Sequence, residues 1–323
     1  MKNTQFGPGE TAEARFGPGF DRMFRNDRTT LGLFFPIEAF DGPRPAMEDQ
    51  VGLAQEAERL GFSALWARDV PLDDPSFGDL GQIYDPFVWL ATVAAHTSEI
   101  ALATGSVILP LHHPIDVAKQ ATSLDHLSKG RLVLGVASGD RPIEYPAYGR
   151  NRGERAELFR DALLYLQELL GKSFPSYESE RYGRMHGGDL IPKPFHGRLP
   201  LLGTGNSGQP LDWLADHTDG WITYPRPPAK QERVVGEWHG LTAPDAPVKP
   251  VVQSLYIDLA ERADAPPEPI HLGYRMGLHH LERLLKTLHG IGVQHVALNL
   301  KFSRMDVREV LARLSPVARG EPM

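Results

Sequence analysis

The stretch that decides the fold is LPLLGTGNSGQPLDWLA, residues 199–215. It passes from a short apolar strand through a glycine-rich turn into an amphipathic helix. Such a turn leaves backbone N–H groups unpaired where the helix dipole favours a negative charge, and its glycines let an anion approach closely. The turn therefore predicts a phosphate-binding site formed by Gly203, Thr204, Gly205, Asn206, Ser207 and Gly208. The alternative is an ordinary strand-to-helix turn capped by Asn206 or Ser207.

The rest of the chain repeats this order of strand and then helix. Eight such pairs in strict alternation predict an α/β protein with a (β/α)8 TIM barrel, because an open doubly wound sheet usually has fewer strands. The predicted strands are residues 30–36, 64–67, 100–104, 131–137, 199–202, 220–224, 251–259 and 293–298. The predicted helices are 45–60, 86–96, one ending near 127, 152–170, 211–217, 230–240, 278–288 and 306–314, and Pro316 is expected to end the last helix.

Two segments depart from the alternation. Residues 171–197 are rich in aromatic, glycine, proline and charged residues, so we expect an insertion in the second half of the barrel. Residues 1–28 precede the first strand and contain Phe-Gly-Pro-Gly twice, at 6–9 and 16–19. We expect residues 1–28 to form an N-terminal surface arm, and residues 29–323 to form the barrel domain.

Composition limits the class of protein. The chain has 323 residues and a net charge of −7, which gives no basic footprint for nucleic acid or an anionic membrane. It contains no cysteine, so disulfides, iron–sulfur clusters and thiol catalysis are excluded. No apolar run approaches the roughly 20 residues that span a bilayer, and the N-terminus lacks a signal-peptide core. These features predict a cytoplasmic protein.

Residues that follow the strands meet at one end of such a barrel, where barrel enzymes carry their active sites. This rim has small, hydroxyl and aromatic residues and few paired carboxylates, so it suits a flat ring with a phosphate. No metal site is expected, because no carboxylate at suitable spacing joins His112 and His113. The rim residues include Arg68, Asp69, Gly105, Ser106, His112, His113, Ser138, Gly139, Tyr145 and Arg226.

Several motifs in order resemble the bacterial luciferase-like flavin monooxygenase superfamily. They are ATGS at 103–106, His113-Pro114, AKQA at 118–121 and LSKGRLVLG at 127–135, together with LWARD at 65–69 and the glycine turn. The resemblance extends from about residue 30 to residue 315. It implies a (β/α)8 barrel with an insertion in its second half, which agrees with the count of strands.

The resemblance also implies positions for a bound FMN. In similar proteins the end of the third strand lies against the isoalloxazine ring, often with a cis peptide that precedes a residue other than proline; here this segment is Ala103, Thr104, Gly105 and Ser106. Ser138 and Gly139, followed by Tyr145, would lie near the ribityl–phosphate chain, and residues 203–208 would bind the phosphate. Arg226 is a further phosphate partner or, alternatively, a surface or helix-start arginine.

The chemistry implied is reduction of FMN, reaction with dioxygen and oxygen transfer to a substrate. Arg68 would stabilise an anionic reduced flavin or substrate, and Asp69, His112 and His113 would be the other polar groups near the ring, a histidine shuttling a proton. The alternatives are a structural Arg68–Asp69 ion pair and a site that only one of the two histidines faces. Val70 stands where many relatives have a histidine, and residues 138–145 differ from the usual loop, so the resemblance gives no substrate.

The resulting prediction is an FMN-dependent oxidoreductase, a monooxygenase that uses reduced flavin and O2 on a small organic substrate. Two alternatives stay open: a dehydrogenase that uses a deazaflavin (coenzyme F420) on the same fold, and a non-catalytic flavin-binding protein. The resemblance implies a homodimer, and the flavin is either bound or supplied by a separate flavin reductase.

Overall fold

The strands of the computed structural model close into a ring. The structure describes residues 16–42, 44–74, 76, 84–243 and 246–321. Each of eight strands pairs in parallel with the next, and the last pairs with the first, which confirms the predicted (β/α)8 barrel. The strands are β1 (Thr30–Phe34), β2 (Ala64–Ala67), β3 (Ala101–Thr104), β4 (Leu132–Ala137), β5 (Leu201–Thr204), β6 (Gly220–Thr223), β7 (Val251–Leu259) and β8 (His295–Asn299).

One helix follows each barrel strand. The helices are α1 (Gln50–Arg59), α2 (Pro86–His96), α3 (Pro114–Leu127), α4 (Arg155–Gly171), α5 (Leu211–His217), α6 (Pro228–Gly240), α7 (Leu278–Gly290) and α8 (Val307–Arg319). The predicted insertion lies between α4 and β5 and contains a hairpin, Tyr177–Ser179 with Gly183–Met185. Among the described helices, none is both long and apolar enough to cross a membrane.

The predicted start of α1 at residue 45 is wrong, because the helix begins at Gln50. Met47 and Asp49 have φ angles of 59° and 46°, a left-handed conformation that a right-handed helix cannot contain. Glu38 fixes this bend, since its carboxylate accepts bonds from Met47 N (3.2 Å) and Gln50 Nε2 (3.1 Å). The prediction followed the spacing of apolar residues and therefore included residues 45–49. The side chain of Glu38, in the loop after β1, holds this segment out of the helix.

The predicted end of α8 before Pro316 is also wrong, because Pro316 lies inside a helix that continues to Arg319. A proline within a helix removes one backbone hydrogen bond. Burial of Leu314 and Ala318 on either side of Pro316 favours continuation, and the helix ends where Gly320 adopts a φ of 73°.

A short helix, Pro18–Phe24, closes the amino end of the barrel, and we call it the floor helix. Phe20, Met23 and Phe24 are buried against the side chains inside the barrel. Gly19 packs so closely that a Cβ there would overlap the carbonyl oxygen of Arg131. The expectation of a surface arm is therefore wrong for this helix. Residues 1–15 lie outside the described residues, and the domain boundary at residue 28 stays a prediction.

Inside the barrel, His295 links the floor to the strands. Trp66 Nε1 donates to His295 Nε2 (3.0 Å), so the imidazole proton is on Nδ1, which donates to Thr30 Oγ1 (2.7 Å). Thr30 in turn donates to the Met23 carbonyl oxygen (2.7 Å). Complete burial lowers the pKa of His295 to about 3, so this histidine is neutral.

Arg131, at the start of β4, is a structural cation. Its guanidinium donates to the carbonyl oxygens of Ala94, Thr97, Ile100 and Ser128 at 2.9–3.1 Å, and to the Thr97 hydroxyl at 2.9 Å. The side chain is buried, and burial lowers the pKa of Arg131. These bonds join the ends of α2 and α3 to the strands β3 and β4.

Candidate functional site

A cavity of about 900 Å³ opens at the carboxyl ends of the barrel strands. This volume lies in the range of sites for small molecules and cofactors. Most of the predicted site residues line this rim cavity: Arg68, Asp69, Gly105, Ser106, Ser138, Gly139, Thr204, Gly205, Asn206, Ser207 and Gly208. The remaining predicted residues, His112, His113, Ala103, Thr104, Tyr145, Gly203 and Arg226, do not line it.

The glycine turn after β5 has an ordered internal structure. Ser207 Oγ donates to the Thr204 carbonyl oxygen (2.8 Å) and accepts from Ser138 N (3.2 Å). Asn206 Oδ1 accepts from Gly208 N (3.2 Å). Both side chains of the capping alternative, Asn206 and Ser207, thus form hydrogen bonds within the turn. Ser207 also joins the turn to the loop after β4.

Gly205 is the open point of this turn. Its φ is 57°, and a Cβ built on it would meet no atom within 4 Å. Gly203 and Gly208 serve packing instead, because a Cβ there would lie 2.8 Å from Leu214 and 2.6 Å from Ala156. Close approach of a ligand to the backbone is therefore available at Gly205.

Arg155 is a lining residue that the sequence reasoning missed. It is the first residue of α4, and Gln209 Nε2 donates to the carbonyl oxygen of the adjacent Ala156 (2.7 Å), which holds the glycine turn beside this helix start. A cation at a helix N-terminus opposes the helix dipole. That unfavourable placement is the signal that could have identified Arg155 as a ligand-binding residue.

The end of β3 lies across the cavity. The peptide bond between Gly105 and Ser106 is cis, so the structure has the cis peptide that the resemblance implied within residues 103–106. Ser106 Oγ shares a hydrogen bond with Thr204 Oγ1, which joins this segment to the glycine turn. Both parts of the predicted cofactor site thus line one cavity and touch each other.

Ala103 and Thr104 precede this segment and are buried in the barrel. Thr104 Oγ1 donates to the Gly135 carbonyl oxygen (2.8 Å) and accepts from Gly135 N (2.9 Å). These contacts stabilise the pairing of β3 with β4 and leave the Thr104 hydroxyl bound to the sheet.

Asp69 and His112 form a pair at the edge of the cavity. Asp69 Oδ2 accepts from Ile108 N (2.9 Å) and lies 2.7 Å from His112 Nε2. Burial disfavours the imidazolium, but the hydrogen bond and charge of Asp69 outweigh it, so the pKa of His112 lies above its ordinary value. His112 therefore reaches the cavity through Asp69.

His113 points away from the cavity. Its Nε2 donates to the Tyr182 carbonyl oxygen (3.0 Å), and its Nδ1 accepts from Ile115 N (3.2 Å) at the start of α3. The rings of Tyr165 and Tyr182 pack against it. The two neighbouring histidines thus have different roles, as the extended backbone between them predicts.

Tyr145 and Arg226 lie behind the lining. Tyr145 is buried, its hydroxyl donates to the Ser138 carbonyl oxygen, and burial raises its pKa to about 12. Arg226 Nη1 donates to Thr223 Oγ1 (2.7 Å), the Tyr224 carbonyl oxygen (2.9 Å) and Gln231 Oε1 (3.1 Å). These contacts agree with the helix-start alternative for Arg226.

Two further lining residues are Arg141, which the sequence places on the rim after β4, and Glu144, which the sequence reasoning did not place in the site. Both side chains are buried, and Arg141 Nε lies 4.0 Å from Glu144 Oε1. Burial raises the pKa of Glu144 to about 7, although the charge of Arg141 opposes this shift. The Arg-x-x-Glu spacing after β4 was a signal for a pair on one helical turn.

The outer wall of the cavity comes from a hairpin after β7, Glu268–Ile270 with Gly273–Met276. Its tip residues, His271 and Leu272, line the cavity together with Tyr256 of β7. The Tyr256 ring lies 5.7 Å from His271 and 5.2 Å from Phe302. This part of the rim therefore presents aromatic surface to a ligand.

Comparison with known proteins finds relatives of part of this chain. An uncharacterized protein of Mycobacterium tuberculosis is 37% identical over 144 residues, which cover 44% of this chain and 50% of the relative. The chain spans about half the length of the curated relatives it matches.

Two solved structures share the fold. The oxygenating constituent of 3,6-diketocamphane monooxygenase from Pseudomonas putida, in complex with FMN, has a TM-score of 0.72 at 16% identity, covering 92% of this chain and 99% of that one. An F420-dependent secondary alcohol dehydrogenase has a TM-score of 0.73 at 16% identity, covering 90% and 99%.

The family model described as luciferase-like monooxygenase matches residues 29–272. This match includes β1 to β7, the glycine turn and the Gly105–Ser106 segment. It confirms the resemblance found in the sequence: the chain belongs to the luciferase-like monooxygenase family.

Proposed function

We propose that the protein is a flavin-dependent oxidoreductase that binds FMN in the rim cavity and oxygenates a small organic substrate with dioxygen. The observation that carries this proposal is the open space beside Gly205, which lines the same cavity as the Gly105–Ser106 segment. The Gly205 N–H and carbonyl are bonded to Ile222 O (2.9 Å) and Trp221 Nε1 (2.6 Å), so Gly205 contributes room for the phosphate and no free donor. Family membership supports the reaction type.

The glycine turn is the proposed phosphate site. Gly205 leaves room for an anion against the backbone, and Arg155 brings a guanidinium to the same cavity. Charge-assisted bonds from arginine to phosphate are among the strong hydrogen bonds of proteins. The start of α4, a helix of 17 residues, adds the positive end of its dipole.

The opposite end of the cavity is the proposed ring site. FMN, when bound, supplies electron transfer and dioxygen activation. Phe34, Ile108 and Ile222 line the cavity with apolar surface that excludes water from a bound ring. Gly105 packs against this wall, since a Cβ there would lie 3.0 Å from the Phe34 ring and 3.1 Å from the Trp66 ring.

Arg68, Asp69 and His112 are the proposed polar groups of the reaction. Arg68 and Asp69 line the cavity, and Arg68 would stabilise negative charge on a ligand. Because His112 does not line the cavity and its Nε2 is bound to Asp69 (2.7 Å), His112 would exchange a proton with a ligand by way of Asp69. His113 has no part in this proposal, because its two ring nitrogens bind backbone outside the cavity.

Assembly is a separate part of the proposal. We propose a homodimer, with reduced FMN either retained in the cavity or supplied by a flavin reductase. Sedimentation velocity of the purified protein tests the dimer, and a single species of monomer mass at micromolar concentration would contradict it.

A deazaflavin-dependent dehydrogenase is the second candidate, and one observation favours it. Arg152 and Arg155 lie at the start of α4, and Arg155 lines the cavity together with the glycine turn, where the two arginines could hold an acidic cofactor tail. A neighbour in the same fold class carries an F420-dependent activity.

Titration with FMN, followed by absorbance and flavin fluorescence, tests the proposed function. We expect saturable micromolar or tighter binding by the wild type and a loss of at least 100-fold in Gly205→Asp, because the aspartate places negative charge at the phosphate site. Gly183→Asp is the matched control: Gly183 also has a positive φ (79°) and no neighbour within 4 Å, but it lies in the insertion hairpin. Its affinity for FMN should equal that of the wild type.

Absence of binding to both oxidised and reduced FMN would overturn the FMN proposal. A deazaflavin that binds at least 100-fold tighter than FMN would establish the second candidate instead. Equal loss of affinity in Gly205→Asp and Gly183→Asp would show that the turn does not bind the phosphate.

A further inference from the structure

Glu144 has an uncompensated oxygen at the rim cavity. The residue lines the cavity, its exposed fraction is 1%, and its Oε1 has no hydrogen-bond partner among the described residues. A buried polar atom without a partner costs about 1–3 kcal/mol, so native proteins rarely keep one without a functional reason. The function proposed above assigns roles to the glycine turn and to the Asp69–His112 pair, but it gives no role to the Glu144 carboxyl group.

The charges around Glu144 favour its neutral form. Arg141 faces it at 4.0 Å and favours ionisation, while the carboxylates of Asp69, Asp74 and Asp140 oppose ionisation. Burial adds to this opposition. The other titratable groups that interact with it are the phenols of Tyr145 and Tyr148. A neutral carboxyl next to a guanidinium presents two kinds of donor, O–H and N–H, to one acceptor.

We propose that Glu144, kept protonated beside Arg141, donates a hydrogen bond to a flavin-ring acceptor atom that gains negative charge when the ring is reduced. This assignment rests on the proposed function, since it needs a flavin in the rim cavity. The donor stabilises the reduced ring more than the oxidised ring, because a hydrogen bond to a charged acceptor is about twice as strong. A buried carboxylic acid held neutral near pH 7 is suited to this task.

Infrared spectroscopy of the protein without flavin tests the protonation of Glu144. The spectrum of the wild type minus that of Glu144→Gln should contain a carboxylic-acid carbonyl band at pH 6 that is lost by pH 9. Glu154→Gln, an exposed glutamate near the same loop, should retain the wild-type band. A difference spectrum without this band at pH 6 would overturn the proposal, whatever the protein does with flavin.

A redox titration of bound FMN tests the interaction itself. Glu144→Ala should lower affinity for reduced FMN about tenfold more than affinity for oxidised FMN, which lowers the two-electron midpoint potential by about 30 mV. Glu144→Gln keeps an N–H donor, so its loss should be less than threefold, and Glu154→Ala should leave the potential unchanged.

Two outcomes separate this proposal from the proposed function. If the wild type binds FMN and Glu144→Ala lowers both affinities equally, Glu144 acts only on the structure of the cavity and the inference fails alone. If the wild type binds no FMN, the proposed function fails, and the flavin assignment of Glu144 fails with it.

Discussion

The amino end of the barrel and its carboxyl end treat buried polar groups differently. At the amino end, Arg131 places five hydrogen bonds on backbone and hydroxyl oxygens, and both ring nitrogens of His295 are paired. At the carboxyl end, Glu144 is equally buried, but its Oε1 has no hydrogen-bond partner among the described residues and faces the Arg141 guanidinium only at 4.0 Å. Paired groups stabilise the fold, whereas unpaired ones are available to a ligand.

Backbone packing follows the same division. Gly19 at the floor permits contact with another part of the chain, since a Cβ would overlap Arg131. Gly205 at the rim also lacks a side chain, but a Cβ built there would meet no atom within 4 Å. The sequence alone therefore does not tell a glycine needed for packing from a glycine that makes room for a ligand. The atoms around the glycine in the folded structure distinguish the two roles.

Replacing Arg131 should have the largest effect on stability. Arg131→Met keeps most of the volume but leaves four carbonyl oxygens without their donor, so we expect a loss of about 4 kcal/mol in the free energy of unfolding. Urea denaturation measures it. Arg313→Met, which removes an exposed arginine, should cost under about 1 kcal/mol. Equal losses of unfolding free energy in the two variants would show that Arg131 stabilises the fold no more than Arg313 does.

The buried carboxyl of Glu144, at the rim, should make the free energy of unfolding depend on pH. The folded-state pKa of Glu144, about 7, lies above the ordinary value of 4.5, so the folded protein holds a proton that the unfolded chain releases. Its contribution is therefore full below pH 4.5 and is lost as pH rises to 7. At pH 8, Glu144→Gln should be about 3 kcal/mol more stable than the wild type in urea denaturation. A variant less stable at pH 8 would contradict the unpaired state.

The floor should show the opposite dependence at His295, with a smaller effect over the accessible range. Its folded-state pKa, about 3, lies below the ordinary value of 6.5, so the unfolded chain gains a proton that the folded protein does not. Stability should fall by about 2 kcal/mol between pH 6.5 and pH 5. His295→Gln should flatten this part of the thermal-stability profile, while His96→Gln, at an exposed position, should retain it. An unchanged slope in His295→Gln would exclude the buried neutral imidazole as its cause.

Much of the fold could be predicted because barrel strands and helices have different periods of apolar residues. All eight strands were placed, each boundary within two residues of the observed one. The floor helix was missed because its seven residues are too few for a helical pattern, and its burial depends on strands distant in sequence. The start of α1 and the end of α8 were misplaced because Glu38 and the packing around Pro316 override local preferences.

The candidate site was predictable where residues directly follow a strand, as Asp69, Ser106, Ser138 and the glycine turn do. Family motifs added the cofactor and the cis peptide to that pattern. Arg155 follows β4 only after an irregular loop, so its distance from the strand end concealed it, whereas Glu144 was passed over although the adjacent Tyr145 was named. Side-chain direction separated His112 from His113, and the sequence carries that information only as an alternation along the backbone.

The floor helix determines from which end of the barrel a ligand can reach the rim cavity. Because Phe20, Met23 and Phe24 fill the amino end, a ligand reaches the rim cavity from the carboxyl end of the barrel. Two ligands that occupy the cavity together therefore share that end, and a ligand covered by another can leave only after it.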